Sequence, residues 1–198
     1  MDHAERLGHR TSPEQAEPSI GLIECSSIAR GVLVADGVAK VSPVHLLWAR
    51  TVSPGNYVVL FSGEVEETAA AFDRGVALGG DAVVDSIRIP NVHRDLVAAI
   101  RGPRKIDITE AVGVVECTTV ATTVLAADAA VKAAAVDLVE VRLAMHLGGK
   151  GFFLVSGEAA DVEEAVATGA DLARRRKTLV SDVVIPRVSQ ELLEHLLP

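Results

Sequence analysis

An α+β sandwich fold, written twice in one chain, is what this 198-residue sequence predicts. Three observations carry that prediction. The stretch at residues 21–40, GLIECSSIARGVLVADGVAK, returns at residues 113–132 as GVVECTTVATTVLAADAAVK, with matching Gly, Glu, Cys, Asp and Lys pairs 92 residues apart. Within each copy, short apolar runs of strand length alternate with longer, Ala-rich runs of helical length. The apolar residues, 49% of the chain, are mostly Ala and Val with 3% aromatics, which suits thin packed layers rather than a deep aromatic pocket. Self-similarity at this period marks duplication of a whole small domain.

Residues 1–18 are rich in His, Glu, Arg and Pro, and are expected to form a flexible N-terminal arm. Residues 19–24, SIGLIE, read as a buried strand, and Ser26 and Ser27 can cap the helix that runs to about Val41, where Pro43 stops it. Residues 45–52 and 57–62 are strands joined by the turn Ser53-Pro54-Gly55-Asn56. A second helix follows at 65–78, with Glu64, Glu66 and Glu67 at its positive end and Gly79-Gly80 closing it. A fourth strand at 82–89, Pro90 and a short helix at 92–100 complete the copy. The order strand, helix, strand, strand, helix, strand is the ferredoxin-like βαββαβ pattern, here with an extra C-terminal helix.

Residues 102–111 read as a linker, because apolar periodicity lapses there and Gly102-Pro103 punctuates it. The first domain then covers 19–101 and the second 112–198. In the second copy, strands are expected at 112–116, 138–145, 152–156 and 179–185, helices from Thr119 to about Ala134 and at 158–174, and a terminal helix at 189–197.

Composition narrows the function. The net charge of −8 disfavours a general nucleic-acid binder, which needs a basic face for phosphates, and no apolar run of membrane-spanning length occurs. No secretory signal pattern opens the chain, so a cytoplasmic location is expected. Cys25 and Cys117 occupy equivalent positions without CxxC spacing and read as buried reduced thiols. Gly148-Gly149-Lys150-Gly151 lacks the Ser or Thr of a P-loop and lies between two strands, so it reads as a hairpin loop. His45, His93, His146 and His195 show no metal-ligand spacing. Glu24 and Glu116 read as strand-end residues bonding nearby backbone, and Arg174-Arg175-Arg176-Lys177 as a solvated helix end. No catalytic residues, metal or cofactor are expected.

The repeated opening stretches, the elements SGEVEETAAAFDRGVALGG and SGEAADVEEAVATGA, and the closing IRIPNVH and VVIPRVS together resemble the tandem-domain, trimer-forming class of bacterial microcompartment shell proteins. The resemblance covers residues 20–197. It implies a homotrimer shaped as a pseudohexamer, packed edge to edge with other hexameric and pentameric shell tiles in a cytoplasmic microcompartment shell. It further implies a central pore for small polar metabolites, lined by Ser53, Pro54, Gly55, Leu147, Gly148 and Gly149, with His146 and Lys150 on its rim. Tile-edge contacts would come from Lys40, Lys132 and Arg187, with Asn91 and His93 standing at the first copy's version of the arginine position. Some members hold an iron–sulfur cluster at the pore through cysteines, and neither loop here has one.

Duplicated ferredoxin-like domains also build small-ligand regulatory proteins, and a cysteine nucleophile would define an enzyme. The first alternative predicts a discrete oligomer that changes on binding a metabolite; the second requires an accessible thiol beside a base.

Overall fold

The computed structural model describes residues 18–104, 106, 110–144, 147–189, 191, 192 and 195. The first copy runs β1 (Ser19–Cys25), α1 (Ile28–Val41), β2 (His45–Val52), β3 (Asn56–Gly63), α2 (Val65–Gly79), a single 3-10 turn at Gly80–Ala82, β4 (Val83–Pro90) and α3 (Leu96–Arg101). The second runs β5 (Ala111–Cys117), α4 (Val120–Ala133), β6 (Asp137–Leu143), β7 (Gly151–Gly157), α5 (Ala159–Arg175) and β8 (Leu179–Ile185). Both form antiparallel four-stranded sheets with the same strand order, β2-β3-β1-β4 and β6-β7-β5-β8. That is the ferredoxin-like arrangement the alternation of runs predicts.

Local chemistry places the elements. Ser27 caps α1 by accepting from the Arg30 amide, and Thr119 caps α4 by accepting from the Thr122 amide, each at 3.4 Å. Gly80, at φ 51°, turns the chain out of α2 in a conformation that costs other residues more. Alternation along β1 sends Ile23 and Cys25 under α1 and α2, where they pack with Val34, Val38, Phe61 and Ala71. Ile20 and Leu22 face the other way and join a core that continues into the second copy.

The final helix of the first copy begins later than the sequence suggests. The amides of Asn91 and Val92 both donate to Pro18 O, and the His93 amide donates to Asp128. These bonds tether residues 91–93 to Pro18 and to α4, Asn91 stands at φ 85°, and the helix starts at Leu96. The N-terminal arm but for Pro18, and His146, lie outside the described residues, and of the expected terminal helix of the second copy only residues 189, 191, 192 and 195 are described.

Candidate functional site: the seam between the two copies and the paired hairpin loops

The two copies meet along a seam in which α4 lies against β4 and β1, and α3 lies on β6. Sequence periodicity alone does not reveal its polar residues. Glu24, fully buried near the end of β1, accepts from Asn56 Nδ2 through one carboxylate oxygen and from the Val120 amide through the other, both at 3.0 Å. The Val120 amide is the first of α4, so a carboxylate of one copy caps a helix of the other. Burial raises the Glu24 carboxyl above its ordinary range, against the lowering effect of Asn56 and the Val120 and Ala121 amides. Glu24 therefore bonds backbone, as expected, but backbone of the opposite copy. Glu116 departs from that expectation, since its carboxylate takes the Lys150 ammonium at 2.9 Å.

Asp85 on β4 gathers a second cluster. Its Oδ2 accepts from Thr119 Oγ1 at 2.6 Å and Thr122 Oγ1 at 2.8 Å, and its Oδ1 from Arg176 Nη2 at 2.5 Å. Arg176 also donates through Nε to Thr122 Oγ1 at 2.9 Å. The basic run at the end of α5 is thus not simply a solvated helix end. Arg174 pairs with Asp171 and Asp182, whereas Arg176 ties the copies together. At the far end of the seam Arg104 donates its amide to Val139 O and Nη1 to Leu138 O, and pairs with Asp95. The start of the expected linker is therefore pinned to β6.

Three of the expected edge residues come together at this seam. Lys132 Nζ donates to Asp128 and to Asn91 O, both at 2.5 Å, and Asp128 also holds the His93 amide at 2.7 Å. Lys40 and Arg187 stand apart from them. Lys40 is exposed and pairs with Asp36 at 2.7 Å, and Arg187 is exposed just beyond β8.

The expected pore residues lie in the β2–β3 and β6–β7 connections, and these two loops are neighbours. The Ser53 amide donates to Ala144 O at 3.3 Å, and a Cβ on Gly149 would meet Pro54 Cδ at 3.1 Å. The Ser53-Pro54 bond is cis, and Gly55, Gly148 and Gly149 all have positive φ. Leu147 O accepts from the Lys150 amide inside the second loop. The Lys150 side chain is committed to Glu116.

The copies differ at one more place. Arg142 forms a bidentate pair with Glu140, while its counterpart Arg50 stacks 3.3 Å over Trp48, which replaces the glutamate. Arg50 Nε is buried without a hydrogen-bond partner among the described residues. Both thiols are fully buried, and burial pushes Cys25 up and Cys117 up to about 11, which keeps them protonated and poor nucleophiles. Among the described residues no three His, Cys, Asp or Glu side chains stand where they could share a metal ion, and no helix is long and apolar enough to cross a membrane.

Two like sheets, each with its helices, joined by one polar and apolar seam define a tandem-domain protein whose two halves are built to bind each other. The family model for the BMC domain matches residues 19–92 and again 111–188, and the chain belongs to that family. It is similar to the bacterial microcompartment shell protein PduT of Citrobacter freundii, with 40% identity over 169 residues, 85% of this chain and 92% of that one. Among solved structures it resembles a microcompartments protein from Desulfitobacterium hafniense, with a TM-score of 0.81 and 40% identity, covering 89% of this chain and 98% of that one. The fused permuted hexameric shell protein MSM0275 from the RMM microcompartment superposes with a TM-score of 0.60 and 25% identity, covering 79% and 81%.

Proposed function

We propose that this protein is a structural shell protein of a bacterial microcompartment, which closes as a homotrimer of pseudohexameric outline and tiles the shell facets. Its two shell domains are residues 19–101 and 112–198. One observation carries the reading. Ile28, Val32, Leu46, Val183 and Leu192 are 38–52% exposed, while their counterparts in the other copy, Val120, Val124, Leu138, Ile87 and Leu96, are 0–4% exposed. Each of these five is thus the repeat of a residue that is buried in the other copy.

These five divide into two faces. Ile28, Val32 and Leu46 belong to α1 and β2 of the first copy, and Val183 and Leu192 to the end of the second. These faces are complementary and lie on different domains, so contact between copies of the chain is head to tail, and rings close when the rotation allows. Covering such apolar surface is the usual driving force for association.

The neighbouring loops around Ser53-Pro54-Gly55 and Leu147-Gly148-Gly149 support a central opening to which each chain contributes both loops. Polar backbone and the Ser53 hydroxyl there suit the passage of small polar metabolites. Lys40, exposed in the last turn of α1, and Arg187, exposed just beyond β8, are the edge residues for contacts with other tiles. Electron microscopy of negatively stained protein across a salt series, with mass from light scattering on the same samples, tests the whole reading. Six-sided discs of three chain masses that join into sheets are expected. A monomer or dimer with no ring at any salt would overturn it.

A further inference from the structure

Glu24 and Glu116 are the same residue of the repeat. Glu24 pairs in register with Val58 and Asp85, and Glu116 with Phe152 and Ser181. Their holders correspond too, since Asn56 precedes Tyr57, the register partner of Cys25, and Lys150 precedes Gly151, the register partner of Cys117. In the first copy Asn56 holds one carboxylate oxygen of Glu24 and the Val120 amide occupies the other. In the second, Lys150 holds Oε1 of Glu116, and the side-chain hydrogen bonds of Glu116 among the described residues stop there. Glu116 is thus oriented like Glu24, with half of the arrangement present and its side chain 34% exposed.

The missing half exists elsewhere on the chain. The residue equivalent to Val120 is Ile28, the first residue of α1, behind the equivalent cap Ser27. A helix leaves its first-turn amides without internal partners, and Ser27 takes only that of Arg30. The Ile28 side chain is 46% exposed where that of Val120 is fully buried. α1 therefore presents a free positive end beside an uncovered apolar face, as α4 would if the first copy were taken away.

We infer that Glu116 of one chain caps α1 of the next, accepting from its Ile28 amide as Glu24 accepts from Val120 within the chain. The occupant of the α1 end is a second copy of this protein, and the inference rests on the ring reading above. The carboxylate meets the positive end of the helix dipole, and Lys150 positions it. The inner and outer seams then share one polar contact and differ in its holder, neutral Asn56 inside and cationic Lys150 outside.

The test is a double-mutant cycle on trimer dissociation, read by sedimentation velocity over a dilution series of the full chain. The variants are Glu116→Ala, Ile28→Pro and both together. Proline is accepted at the first position of a helix and removes only the amide proton from the backbone, and the cycle cancels the loss of the Ile28 side chain. Losing a hydrogen bond to a charged group corresponds to about tenfold weaker association per seam. Glu116→Ala is expected to cost that much in the wild-type background and close to nothing in the Ile28→Pro background, with both variants melting like wild type as isolated chains. A wild-type trimer that Glu116→Ala leaves unchanged, or weakens equally in both backgrounds, overturns the cap alone. A wild-type chain that never forms a trimer overturns the ring and the cap together.

Discussion

The Asp85 carboxylate of the first copy and the Arg176 guanidinium of the second lie 2.5 Å apart, ninety-one residues distant in sequence. Asp85 is 11% exposed and also takes both threonine hydroxyls of the α4 start. Asp85→Ala would take the carboxylate from four donors, the Thr119 and Thr122 hydroxyls, Arg176 and the Ser86 amide, at a largely covered site. We expect a loss of about 2 kcal/mol of unfolding free energy, since a broken charge-assisted contact leaves its partner desolvated. Denaturant unfolding of the variant checks this, and an unchanged midpoint would show that the cluster contributes no net stability.

Val32→Glu and Val183→Glu place charge on faces that are exposed in the single chain. Both variants should fold with a melting temperature near that of the isolated wild-type chain and fail to associate. Ile87→Glu, at the buried counterpart of Val183, should instead prevent folding, because an unpaired buried charge costs several kcal/mol. Size-exclusion chromatography beside thermal melting separates the two outcomes.

Glu24 gives the inner seam a pH dependence. Its folded pKa is raised above the ordinary 4.5 by burial, so the folded state holds the proton more tightly than the unfolded chain. The contribution of Glu24 is fully present below the ordinary value and is lost as pH rises through the raised one. Glu24→Gln does not titrate and keeps an acceptor for the Val120 amide. The stability of wild type relative to Glu24→Gln should therefore fall as pH increases through this window, and parallel melts at several pH values would reveal a rise instead if the sign were wrong.

Gly149 at φ 93° stands against Pro54 of the other hairpin loop. Gly149→Ala combines a left-handed backbone position with a contact of 3.1 Å, and should cost about 1–2 kcal/mol. In a chain of this size that lowers the melting temperature by roughly 2–8 °C. Gly148→Ala, with open space around its Cβ position, carries the backbone cost alone and should melt higher.

Neither thiol should react with iodoacetamide at pH 8 in the folded protein, because both are buried and Cys117 is pushed up to about 11. Mass spectrometry should find two alkylated cysteines only after denaturation. Fast labelling of the native chain would revive a nucleophilic role.

The doubled α+β plan was legible from the 92-residue spacing of Glu24 with Glu116 and Lys40 with Lys132, and from the order of apolar runs. Most strand and helix limits followed within a residue or two, because caps such as Ser27 and Thr119 act locally. What escaped was everything that depends on how one copy lies on the other. Asp85 and Arg176 look like ordinary exposed charges in sequence, and Lys132 looks identical to Lys40. Only the placement of α4 against β4 separates the tethered lysine from the exposed one. The tether of the His93 amide to Asp128 of α4, just before α3, is of the same kind.

Covalent linkage of the two copies has a geometric corollary. Half of the contacts around any closed ring of this chain form when a single polypeptide folds, and every such ring contains an even number of domains. A sheet of six-sided units is flat, and units with fewer sides, five-sided ones among them, bend it toward a closed surface. In the ring proposed above, the covalent pairing of the two copies therefore excludes this chain from five-sided units, whose domain number is odd.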